Sequence, residues 1–143
     1  SFAFIDAIGE GAGVVSRLKE QGIDNAIAVK GSESAEGLMD ISGHREFANL
    51  RSYLYFALRD ALDPSNGFEL ALPPHQGLIE DLLSTSWRTL STGKIQIESK
   101  ENIKKKLGRS PDYADTVVNT FYPDDWAESE EIEVVDKDEF GIW

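Results

Sequence analysis

The sequence predicts a mixed α/β fold, and three patterns carry that expectation. Two continuous apolar runs, Phe2–Ile5 and Ala26–Val29, flank a glycine-rich turn and a short helical stripe. Strand, helix and strand within so few residues form a βαβ unit, whose strands lie parallel. Between His44 and Leu62 the apolar residues Phe47, Leu50, Leu54, Leu58 and Leu62 recur every three or four positions, the period of an amphipathic helix. Ile95 and Ile97 alternate with polar neighbours just after Ser91-Thr92-Gly93, as one arm of a β-hairpin does.

Taken in order, Phe2–Ile5 reads as a short buried strand ended by the turn that holds Gly9, Gly11 and Gly13. Val14, Val15 and Leu18 mark a helix closed by Gly22 just past its end. Ala26–Val29 is the second strand, and Gly31–Gly43, polar and without period, is a loop. The longest helix runs from His44 to Leu62 and stops at Asp63-Pro64. Pro73-Pro74 introduces another through Leu78, Ile79, Leu82 and Leu83. Trp87–Leu90 and Lys94–Glu98 pair as the hairpin. Ser99 caps a short basic helix that ends at Gly108. Ser110 and Pro111 open the last helix, the hydroxyl as N-cap and the proline at the first helical position. Its buried stripe is Ala114, Val117, Val118 and Phe121. One domain is expected over residues 1–123, followed by an acidic tail over 124–143, flexible or ordered on a partner.

Composition narrows the function. The chain has 143 residues, 41% of them apolar, enough for a core of its own. It has no cysteine, so a disulfide framework and a thiolate metal site are both excluded. No apolar run is long enough for a signal peptide or a membrane span. The net charge of −12 is segregated: Asp124–Glu139 holds nine acids and one lysine, while Lys94, Lys100, Lys104, Lys105, Lys106 and Arg109 cluster against Glu98 and Glu101. The basic segment stands directly before the last helix and is a candidate contact for phosphates, although charge runs are commonly solvated faces.

The candidate chemistry lies in carboxylates. Asp6 closes the first strand and Asp115 lies one turn inside the last helix, beside buried positions. A carboxylate at the end of a buried element needs a cation, a metal or strong donors. Hard divalent ions favour such oxygen ligands, and a pair of ions serves phosphodiester hydrolysis. Each acid also has a plainer reading: Asp6 caps the following turn, and Asp112 favours its helix dipole. Glu10 and Glu98 read as solvated, and His44 and His75 as surface residues. The Gly9, Gly11 and Gly13 turn has the position of a phosphate cradle, but close packing of strand on helix explains it equally well.

Phe4–Val15 (FIDAIGEGAGVV) resembles the second acidic motif of the nuclease domain of tailed-phage terminase large subunits. Lys94–Lys105 followed by Gly108–Asp115 (GRSPDYAD) resembles the closing motif of that family, and Phe47–Arg51 and Ala71–Pro74 match the run between. The resemblance implies an RNase H-like nuclease fold that lacks its first three-stranded meander, and with it the family's first acid and the ATPase domain. It further implies a Mg²⁺- or Mn²⁺-dependent endonuclease, using two ions to cut concatemeric double-stranded DNA, in the cytoplasm of the bacterial host. Asp6 falls on the second metal-binding acid and Asp115 on the third, with Asp112 the fallback. Lys100, Lys104, Lys105, Lys106 and Arg109 are the expected DNA contacts; Arg45 and Arg51 either join them or only pair with nearby acids. The implied partners are the ATPase domain of the same protein, the small terminase subunit and the portal, with no membrane. A rival reading is a non-catalytic α/β module that docks in a packaging or capsid complex, with structural acids. With the meander gone, the strand bearing Asp6 is expected to present an open edge, and the chain alone to bind metal weakly and cut poorly.

Overall fold

The apolar runs at the N-terminus do fold as a parallel βαβ unit. The computed structural model describes residues 1–129, and contacts divide it into two compact units. The first comprises Ser1–Lys30 with the described residues from Tyr122 on; the second is Gly31–Phe121. In the first, β1 (Ala3–Asp6) and β2 (Ala26–Val29) run parallel, with Ala3 opposite Ala26 and Asp6 opposite Val29. The connecting helix α1 (Gly11–Glu20) packs on both strands and buries Val15. Gly22 takes the left-handed conformation, φ +79°, that ends a helix.

Gly11 explains the glycine-rich turn. A Cβ there would lie 1.7 Å from the carbonyl oxygen of Asp6, so strand end and helix start meet backbone to backbone. Gly13, two residues on, faces open space. The chain returns to this unit at Tyr122, whose ring lies 5.6 Å from that of Phe4 and 6.0 Å from that of Trp126. Residues 124–129 are helical and Ala127 is fully buried, so the tail expected from Asp124 begins as a helix. Residues 130–143 of that tail lie outside the described residues.

In the second unit the helix α2 (Leu50–Leu62) supplies the largest share of the core, with Leu50, Leu54, Phe56 and Leu58 among its buried residues. Burying each such side chain contributes about 1.5–3 kcal/mol. A single 3₁₀ turn (Pro64–Asn66) follows, then α3 (Gln76–Leu83) and the antiparallel hairpin of β3 (Trp87–Thr89) and β4 (Ile95–Ile97). α4 (Lys100–Leu107) and α5 (Asp112–Asn119) complete it, with α5 packed on α2 and α3.

The expected helix from His44 starts six residues late. The amide of Ile95 donates to the carbonyl of Glu46 and the amide of Ala48 donates to that of Ile95, both at 2.9 Å. Phe47 is thereby bridged to Ile95 in extended form, buried as predicted but not by a helix. Asn49 then caps α2, its Oδ1 accepting from the Ser52 amide at 2.9 Å. The fully buried Ser52 hydroxyl donates to Asn49 Oδ1 at 2.8 Å and accepts from the Ile97 amide at 3.0 Å, which ties α2 to β4.

The contrast between two glycines of α1 is testable. Gly11→Ala should destabilise the protein by about 1–3 kcal/mol, because the clash is with backbone. Gly13→Ala should stabilise it by up to about 1 kcal/mol through helix propensity. Urea unfolding of the two variants measures both, and equal effects would contradict the close approach at Gly11.

Candidate active site

Three helices of the second unit converge on Asp115. Ser99 caps α4, its hydroxyl accepting from the Asn102 amide at 3.2 Å, and Gly108 ends it in the left-handed conformation, φ +74°. That places Lys100 on the first helical residue, in the turn nearest α4's beginning. α5 does not start as expected: Pro111 stands at its N-cap and the Ser110 hydroxyl makes no capping bond. The acceptor comes instead from α3, where Asp81 Oδ2 accepts from the Ala114 amide at 3.1 Å.

Asp115 is buried, 9% exposed, and both of its carboxylate oxygens are engaged. Oδ1 accepts from the Tyr55 hydroxyl at 3.0 Å and lies 3.7 Å from Arg51 Nη2; Oδ2 lies 2.9 Å from Lys100 Nζ. Arg51 is held in turn, donating through Nη1 to the Glu98 carbonyl at 2.6 Å, with its guanidinium 4.8 Å from the Tyr55 ring centre. Burial, and then the charge of Asp115, push the Tyr55 phenol well above its ordinary pKa, so it stays a proton donor. Arg51 Nε is buried with no hydrogen-bond partner. Two cations thus face one carboxylate.

The other candidates are distributed differently. Asp6, at the end of β1, belongs to the first unit, and its Oδ1 accepts from the Ile8 amide at 3.0 Å. That is the turn-capping role its position predicts. Asp112 is exposed. Lys104 and Lys105 are exposed and make no ion pair among the described residues. Lys106 lies 2.5 Å from Glu98 and donates to the Ser84 carbonyl at 3.0 Å. Arg109 pairs with Asp81 at 2.6 Å, and Arg45 lies 3.9 Å from Asp40. Glu98, expected to be solvated, is largely covered, its side chain 14% exposed. His44 and His75 are on the surface as predicted, and the His75 ring caps α3 by accepting from the Leu78 amide.

Sequence reasoning missed Tyr55 and Asp81. Both had a signal: Tyr55 follows Arg51 at a helical spacing of four, and Asp81 sits between Leu78 and Leu82 on the apolar stripe of its helix. An acid on an apolar stripe announces a buried partner. An apolar cleft lined by Phe56, Leu58, Leu62, Leu82 and Trp87 backs onto Tyr55, but its ionisable lining beyond Tyr55 is Arg59 and Asp63, poor material for phosphate chemistry.

For a metal, the donor chemistry is right but incomplete. Asp115 presents carboxylate oxygens on a helix, the donor type that Mg²⁺ and Mn²⁺ favour. Among the described residues, however, no group of three or more His, Asp or Glu side chains could hold an ion.

No protein-family model and no curated protein matches the chain. Solved structures do. The nuclease domain of the large terminase subunit gp2 of bacterial virus Sf6, a mutant form with manganese and beta-thujaplicinol, aligns with a TM-score of 0.64 at 24% identity, over 84% of this chain and 64% of that one. A second structure of the same mutant domain, with manganese, gives 0.63 and 24%, over 84% and 65%. The chain spans just under two thirds of the length of these structures. It has the α/β fold of a terminase nuclease domain, the RNase H-like class expected from its sequence.

The Glu98–Lys106 pair yields a pH test. The Lys106 ammonium, with help from Ser86, holds the Glu98 carboxyl below its ordinary value of 4.5. A depressed carboxyl stabilises the fold above the unfolded-state pKa, and that contribution is lost as pH falls through the folded one. Thermal unfolding of wild type should therefore lose stability below about pH 4.5 more steeply than Glu98→Gln. Parallel acid limbs for the two proteins would show that the pair contributes nothing.

Proposed function

We propose that this chain belongs to the nuclease of a DNA-packaging terminase, which cuts concatemeric double-stranded DNA by two-metal phosphodiester hydrolysis. The observation that carries the reading is the buried Asp115 carboxylate, ringed by Lys100, Arg51 and Tyr55 in a chain with a terminase nuclease fold. Asp6 and Asp115 would be the metal ligands, with Asp112 in reserve. Mg²⁺ or Mn²⁺ would supply Lewis acidity and an activated water.

The chain's own residues do the rest. Tyr55, Lys100 and Arg51 hold the carboxylate in one orientation, so little reorganisation is needed when charge develops nearby. Lys104 and Lys105, exposed on α4, are the side chains best placed for the DNA backbone. Lys106 and Arg109 spend their charge on Glu98 and Asp81, which weakens the case for them as DNA contacts. The larger assembly would bring the ATPase domain, small subunit and portal, in the cytoplasm of an infected bacterium. Among the described residues no helix is long and apolar enough to cross a membrane.

The docking-module reading has one observation in its favour, that both oxygens of Asp115 are already satisfied internally. Electron paramagnetic resonance titration with Mn²⁺ separates the two. Asp115→Asn and Asp6→Asn should each weaken Mn²⁺ binding about tenfold or more and abolish EDTA-sensitive nicking of supercoiled plasmid, which is expected to be slow in this chain. Identical Mn²⁺ titrations for all three proteins would sink the nuclease reading.

A further inference from the structure

α5 carries Asp115 but owns no side-chain cap, so something else must fix its first turn. That something is a carboxylate from another helix. Asp81, on α3, is fully buried. Its Oδ1 accepts from Arg109 Nη1 at 2.6 Å and its Oδ2 accepts from the Ala114 amide at 3.1 Å. The captured amide belongs to the residue immediately before Asp115.

Arg109 is clamped as firmly as its partner. Nη1 also donates to the Ser110 carbonyl at 3.2 Å, and Nη2 donates to the Gly77 carbonyl at 3.2 Å and to Glu80 Oε2 at 3.4 Å. The guanidinium stands 5.6 Å from the Tyr113 ring centre on α5 itself. A Cβ at Gly77 would lie 2.7 Å from that ring, so a larger residue there would have to displace it. A buried charge satisfied on both oxygens does not slide, since any shift leaves it partly unpaired at high cost. The arrangement therefore defines one position for the start of α5.

We infer that Asp81 and Arg109 are positioning residues that hold the first turn of α5, and so set the Asp115 carboxylate against Lys100 and Arg51. The inference rests on the reading of Asp115 as a metal ligand, and it gives Arg109 an internal role in place of a DNA contact. Outer groups that orient a ligating carboxylate commonly govern metal affinity.

The test uses the whole chain with Mn²⁺ as probe. Asp81→Asn keeps an acceptor for the Ala114 amide but removes the charge opposite Arg109. It should speed hydrogen exchange at the Ala114 and Asp115 amides about tenfold relative to those of Leu54 and Leu58 in α2. It should also weaken Mn²⁺ binding about tenfold. If Asp81→Asn fails to fold, Arg109→Lys, a change at a half-exposed side chain, carries the same two readouts. Faster exchange across all amides with Mn²⁺ affinity unchanged would reduce the pair to ordinary packing and overturn the inference, as would no change in either readout. Should wild type bind no Mn²⁺, the metal reading of Asp115 fails by itself. The exchange at Ala114 and Asp115 then still decides whether Asp81 holds the turn.

Discussion

A charge removed from water must be paired, and the second unit is arranged around two carboxylates that obey this rule. Asp81 and Asp115 sit on α3 and α5, and each takes an arginine as a partner, Arg109 and Arg51 respectively. Because breaking one side of such a pair costs far more than the pair itself contributes, the surrounding helices are confined to one arrangement. Apolar contacts such as those of the buried Leu54, Phe56 and Leu58 are non-directional and leave some freedom to slide. The polar contacts remove that freedom. Ser52 does the same between α2 and β4, with a buried hydroxyl bonded on both sides.

The same pairs redistribute the basic charge that the sequence displays. Of the cluster from Lys100 to Arg109, the two ends turn inward, to Asp115 and Asp81, and Lys106 turns to Glu98. What remains for a polyanion is a narrower face formed by Lys104 and Lys105. Any attraction to DNA by this chain is therefore more local than a count of its lysines suggests, and the net charge of −12 makes it more dependent on geometry.

The likeness in fold to the Sf6 nuclease domain gives these contacts a setting, at an identity too low to carry residue roles by itself. The local polar architecture has to carry the functional argument. It does so unevenly: Asp115 is embedded in a prepared environment, whereas Asp6 is seen performing a turn-capping bond at the end of β1.

Elements whose signals are contiguous in the chain were legible from sequence. The βαβ run, the Ser99 cap, the stops at Gly22 and Gly108 and the hairpin all depend on residues within a few positions of one another. Asp115 could be singled out because an acid beside Ala114 and Val118 needs a reason. Three things were decided only by tertiary contacts. The start of α2 was displaced because Glu46 and Ala48 bond to Ile95, a strand nearly fifty positions on that no local period reveals. The cap of α5 came from Asp81, 33 residues away, and not from the adjacent Ser110. The hydroxyl on Asp115 came from Tyr55, 60 residues away. Local sequence sets which backbone groups lack partners. Which distant side chain satisfies them depends on which elements pack together, and the buried charges make that choice unique.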